Sequence, residues 1–184
     1  MGLAAEGGVV EAMHHLGIMY EYGLIQNSDD TSPPLSASPG SPRQYKQNNA
    51  QALKMYREAF SLHHADSGYN LALMIAYGRG AAQDGSLAME IFRKCALEFN
   101  HAPSMRYLGI FSVHGHGMAN GVADYKAAVT WFDKCERTED PTVSGLCGRE
   151  KAEIVSKINL AEKEIKEKVK LHKMENIDID ITPY

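Results

Sequence analysis

Three stretches of the chain, AMHHLGIMYEYG (12–23), SGYNLALMIAYG (67–78) and SMRYLGIFSVHG (104–115), align without a gap. Leu16, Leu71 and Leu108 share one position, a small residue follows at Gly17, Ala72 and Gly109, and a glycine closes each stretch at Gly23, Gly78 and Gly115. A second set follows the first: NAQALKMYREAFSL (49–62), DGSLAMEIFRKCAL (84–97) and ADYKAAVTWFDKCE (123–136). These share Ala52/Ala88/Ala128, an aromatic at Tyr56/Phe92/Phe132 and a small residue at Ala59/Cys95/Cys135. Internal repetition constrains the fold more tightly than composition does, because each repeated unit must be one supersecondary element.

Steps of four and three residues from alanine to aromatic to small residue put all three on one helical face. Small side chains at fixed places let neighbouring backbones approach, and the aromatic fills the groove so formed. The pattern predicts pairs of antiparallel helices. Each pair is too thin to bury its own apolar stripe, so the core must come from stacking on the next pair.

The segment HGHGMANG (114–121) looks at first like a metal or phosphate site. Its counterpart one repeat earlier is YGRGAAQDG, so His114 answers to Tyr77 and His116 to Arg79. Glycine is the common element, as a turn after a helix requires. Two local histidines also fall short of the three or four convergent ligands of a zinc site. The segment is read as a turn, with no metal and no cofactor expected.

The combined pattern of alanine, Leu-Gly, tyrosine, paired glycines, aspartate, alanine and phenylalanine resembles the Sel1-like repeat family, relatives of the tetratricopeptide repeats with a longer loop inside each repeat. The resemblance runs from residue 12 to about 140. The expected architecture is all-α: a right-handed α-solenoid of three antiparallel helix-pair repeats (12–64, 67–100, 104–140) closed by a long C-terminal helix over 144–175. Residues 1–11 read as the remnant of a preceding repeat ending in a Gly-Gly turn, which points to a fragment or a shortened product. In the disulfide-rich branch of that family cysteines pair between the two helices of one repeat. The resemblance gives Cys95 and Cys135 no such partner, so both are expected to be inert packing.

One departure stands out. Ile25 replaces the second glycine of the first repeat, and an insert over 26–48, rich in Ser, Pro, Asn and Asp, is expected to be disordered or a long surface loop. Ser32, Ser38 and Ser41 each precede proline and are candidate phosphorylation sites. In the C-terminal helix, Ile154, Ile158, Ala161, Ile165 and Val169 form a stripe, with Glu153–Lys157, Glu162–Lys166 and Glu164–Lys168 as four-apart pairs. Its first turns are expected to cap the solenoid and the rest to protrude or meet a partner. Ile177, Ile179 and Ile181 alternate in the 176–184 tail, which is expected to fray.

Function classes narrow in turn. A net charge of −4 offers no basic field for nucleic acid, and no stretch approaches the roughly 20 apolar residues of a membrane span. The opening residues lack a signal-peptide pattern, no N-x-[ST] acceptor exists, and the three cysteines form no CxxC pair. A reducing, cytoplasmic setting is expected, with an endoplasmic-reticulum lumen for a fragment of a larger parent. No phosphate loop, nucleophile elbow or H-E-x-x-H motif appears, so no catalytic residue is assigned. The resemblance implies a protein or peptide partner bound on the concave face by His14, His15, Tyr69, Asn70, Leu73, Tyr77, Arg106, Tyr107 and His114. Tyrosine and arginine dominate interface energies, and asparagine pairs with peptide backbone. Self-association through exposed solenoid ends is a further expectation. The alternative is a structural subunit docked through the C-terminal helix and tail.

Overall fold

The computed structural model describes residues 2–27, 31, 33–35, 44–118 and 121–175. The repeats fold as helical hairpins: α1 (Gly2–Tyr22) with α2 (Asn49–Ser61), α3 (Ala65–Ala76) with α4 (Gly85–Glu98), and α5 (Ala102–His114) with α6 (Tyr125–Glu136). The long α7 (Pro141–Glu175) closes the stack. Each helix packs on the next in chain order, and α7 reaches α5 as well as α6. No strand occurs among the described residues.

The core is the face read from the repeat. Ala52, Ala88, Ala128, Tyr56, Phe92 and Phe132 are buried, as are Ala59, Cys95 and Cys135. A Cβ built on Gly17 would stand 2.6 Å from Tyr56 Cε1, and one on Gly109 would stand 2.5 Å from Phe132 Cε1. The backbones of α1 and α5 therefore rest on the rings of their partner helices, which is why the small position recurs there. Fully burying each ring contributes roughly 1.5–3 kcal/mol. Leu71 and Leu108 are buried in corresponding places, whereas Leu16 is half-buried because no described hairpin packs outside α1.

The glycine-rich turn is confirmed at its first glycine. Gly115 closes α5 in the left-handed region (φ 69°), with its N–H donating to the Phe111 carbonyl. A Cβ there would meet the Gly121 carbonyl oxygen at 2.3 Å, so both conformation and space demand glycine.

Two expectations change. Residues 2–22 form one continuous helix, so no turn separates residues 1–11 from the first repeat at Gly7-Gly8. Two helical glycines cost about 1 kcal/mol each relative to alanine, and the surrounding Leu, Ala, Glu and Val carry the helix through. Cys135 does have a partner: its sulfur lies 2.03 Å from that of Cys147, in a disulfide joining α6 to α7. The pairing crosses from the last hairpin to the following helix instead of closing a single repeat. Cys95, its equivalent one repeat earlier, is free and buried.

The base of the insert is held shut. Tyr45 N–H donates to the Gly23 carbonyl (2.7 Å), Asn48 N–H to the Tyr20 carbonyl (2.9 Å), and the Asn48 amide to Asn27 Oδ1 (2.8 Å). Ser32, Ser38, Ser41 and the 176–184 tail lie outside the described residues.

Candidate partner-binding face

Five of the six hairpin helices begin with a side chain that accepts the N–H three residues on, satisfying one of the orphan donors of the first turn. Asn48, Asp84 and Asp124 do so for α2, α4 and α6. His64 and His101 do so for α3 and α5. The two histidine caps fix where the first helices α3 and α5 start, and hence which of their side chains face the neighbouring repeat and which stay open.

Several predicted binding residues prove to be seam residues. His14 is buried, with Nδ1 3.0 Å from Ser67 Oγ and its ring 4.7 Å from that of His64. Burial, then the neighbouring His64, hold its pKa below the ordinary histidine value. Tyr69 is half-buried between repeats, its ring 5.4 Å from Tyr107, 5.6 Å from His101 and 5.9 Å from Phe92. Tyr107 stacks on Phe92 at 5.4 Å. Burial pushes the Tyr69 hydroxyl well above the usual phenol range. Leu73 is half-buried against the core.

Polar positions are committed too. Asn70 is half-buried beside the Tyr56 hydroxyl. That hydroxyl donates to Glu21 Oε2 at 2.8 Å, and Glu21 also pairs with Arg79 from the turn after α3. Arg106 grips Glu150 of α7 through Nε at 3.1 and 3.0 Å and through its terminal nitrogen. Lys151 joins Asp133 at 3.2 Å and Glu136, fastening the same helix to α6. Repeat-level reading missed these links because, apart from Tyr56–Glu21, they join one hairpin to another or to α7. The one sequence signal was the His-x-x-Ser that precedes both α3 (HADS, 64–67) and α5 (HAPS, 101–104).

What stays open is a row at one repeat position. Tyr22 (55% exposed), Tyr77 (58%) and His114 are all exposed. Ile18, Leu73 and Ile110, one turn earlier on the same helices, are half-buried beside them. A cleft of about 210 Å3 opens next to His114, between Ile110 and Val113 of α5 and Ile154 and Lys157 of α7. A second, of about 350 Å3, lies next to Tyr77 against Phe111 and His116. His15 is also exposed, 3.3 Å from Glu11.

The remaining thiol, Cys95, is buried, and burial pushes it up to about 11, away from the reactive thiolate. His114 and His116 stand 5.7 Å apart, and no group of three candidate ligands is placed for a metal among the described residues. No described helix is long and apolar enough to cross a membrane.

The family model of the Sel1 repeat matches residues 10–31, 39–64, 65–97 and 102–134, more than half of the chain. The first two segments run into the insert from either side and take in most of α1 and all of α2. Among solved structures the chain is similar to a Sel1 repeat protein from Oxalobacter formigenes, at 23% identity and a TM-score of 0.53, over 74% of this chain and 48% of that one. It is also similar to c5321, a protective antigen of uropathogenic Escherichia coli strains displaying an SLR fold, at 22% identity and a TM-score of 0.55, over 81% of this chain and 31% of that one. The chain thus spans less than half the length of either. No curated protein matches it.

Proposed function

The chain belongs to the Sel1 repeat family, and from that premise we propose that it is a non-catalytic scaffold that binds a partner polypeptide on the face lined by α1, α3 and α5. Proteins of this family generally act as protein-interaction scaffolds. The observation that carries the reading is the exposed row Tyr22, Tyr77 and His114, with a cleft beside the last two. Aromatic side chains that bury large area at little entropic cost are the usual anchors of such surfaces. Tyr69, Tyr107, Asn70 and Arg106 then act as supports that hold the face in shape.

A second reading has its own observation. Beyond Ile158 α7 is uncovered, with Ile165 and Val169 of the stripe and Leu160 and Leu171 outside it between 50% and 61% exposed. Docking through this segment would make the chain a structural subunit of a larger assembly. Quantitative pull-down from native extract separates the two, using wild type, the variant Tyr22→Ala/Tyr77→Ala/His114→Ala, and a chain ending at residue 158. The scaffold reading expects the triple variant to lose at least tenfold of the species the wild type captures, with the shortened chain keeping them. The reverse pattern replaces it with the subunit reading.

A further inference from the structure

The face of α7 that seats on the last hairpin continues beyond it. Cys147 and Ile154 are buried there and Ile158 packs against the core, and the same face then runs on through Ala161, Ile165 and Val169, all exposed. Residues 158–175 extend this helix by about 25 Å. By the turn of the helix, Glu162 and Lys166 border the stripe on one side and Glu164 and Lys168 on the other. The four-apart pairs expected among these residues are open. Lys157 does pair with Glu153 at 2.7 Å and Lys163 with Glu167 at 4.0 Å, but no ion pair engages Glu162, Glu164, Lys166 or Lys168 among the described residues.

We infer that this end of α7 pairs antiparallel with the same segment of a second copy of the chain, about a two-fold axis at Ile165. Shape sets the direction. The hairpin α5–α6 occupies the stripe side of α7 as far as Ile158, so a parallel partner would need its own residues 141–158 where α5 and α6 already stand. An antiparallel partner enters from the free end and keeps its hairpins beyond residue 175. The contact is then isologous and closes after two copies.

Reversal about Ile165 sets that residue against itself, Val169 of each copy at the level of Ala161 of the other, and Ile158 at the level of His172. A large side chain meets a small one in the layers beside the axis, as close packing of two helices needs. Like borders of the stripe come together, so Glu162 lies within ~3 Å along the axis of the second copy's Lys166, and Glu164 equally near its Lys168. Each border then holds two glutamates and two lysines and no net charge. The like charges nearest the axis, Lys166 on one border and Glu164 on the other, are the outer members of their pairs and splay into solvent, which screens them. About four turns of paired helix bury on the order of 1,000 Å2, low for a specific interface, so the dissociation constant falls at about 10–100 µM and the end stays free in dilute solution.

The test is sedimentation velocity of the purified whole chain over concentrations spanning that constant, which is expected to pass from monomer to dimer. Ile165→Glu alters a side chain that is 61% exposed, so the chain keeps its helicity while the dimer weakens by about tenfold or more. Orientation is read by mixing Ala161→Cys and Val169→Cys chains under mild oxidation. Antiparallel pairing gives the mixed 161–169 disulfide, and parallel pairing gives links between identical positions. A monomer throughout, which leaves the stripe to a different polypeptide, overturns the inference, as does a dimer indifferent to Ile165→Glu or one linked only at identical positions. The groove is tested apart from this, because the purified chain meets no extract protein and Tyr22→Ala/Tyr77→Ala/His114→Ala is expected to dimerise as the wild type does.

Discussion

Gly109→Ala adds a carbon that would lie 2.5 Å from Phe132 Cε1, against a ring that is itself 2% exposed and has no room to withdraw. Overpacking of this kind costs about 1–3 kcal/mol. The control is Gly145→Ala in α7, where a Cβ meets nothing within 4 Å and the helix gains up to about 1 kcal/mol. Urea denaturation of the two variants should therefore shift the midpoint in opposite directions, and a shared direction would show that the close approach at Gly109 does not set the helix spacing. At this scale the sequence was readable wherever the signal repeats. The small residue at Gly17/Ala72/Gly109 and the aromatic at Tyr56/Phe92/Phe132 sit where periodicity put them. Unreadable were pairings between repeats, such as His14 with Ser67, Glu21 with Arg79 and Arg106 with Glu150. They join residues 53, 58 and 44 positions apart. Whether such a side chain faces a groove or a seam depends on the angle between hairpins, which no local pattern encodes. That is why His14 and Arg106, read as open binding residues, are instead engaged within the molecule.

Among the elements, α7 shows most clearly how a cap is fastened. It takes the place that the next repeat's first helix would occupy, and three links hold it there: the Arg106–Glu150 fork, Lys151 between Asp133 and Glu136, and the Cys135–Cys147 disulfide. The disulfide closes a loop of 12 residues, for which chain entropy gives about 2–3 kcal/mol. Cys147→Ser is accordingly expected to lower the unfolding free energy by about that amount, measured by denaturant titration against wild type under non-reducing conditions. Both sulfurs are fully buried, so the wild-type bond should resist mild reductant until the helix opens. An unchanged midpoint in the serine variant would show that the two charge links alone dock α7. The length and stripe of this helix were legible from four-and-three spacing. Its bond to α6 was not, because a repeat register directs attention to partners inside a hairpin, and Cys147 lies beyond the last one. The Gly-Gly turn at 7–8 failed for a related reason: two glycines suggest a break, yet helix-forming neighbours on both sides carry the chain through.

The whole molecule is a stack in which no hairpin has a core of its own. Tyr56, Phe92 and Phe132 are each buried by their own hairpin and the next, and the central hairpin α3–α4 is covered on both sides. The last hairpin is covered by α4 on one side and by the disulfide-linked α7 on the other, whereas nothing described covers the outer side of the first. Protection should therefore be graded along the stack, as expected when stability is a sum of repeat and interface terms. Peptide-resolved amide hydrogen exchange of the intact chain tests this most directly. The account predicts slowest exchange in α3, α4 and α5, intermediate exchange in α2 and α6, and fast exchange in the first half of α1 and in α7 beyond residue 158. Equal protection in all three hairpins, or a central hairpin that exchanges as fast as the ends, would contradict a core shared by stacking.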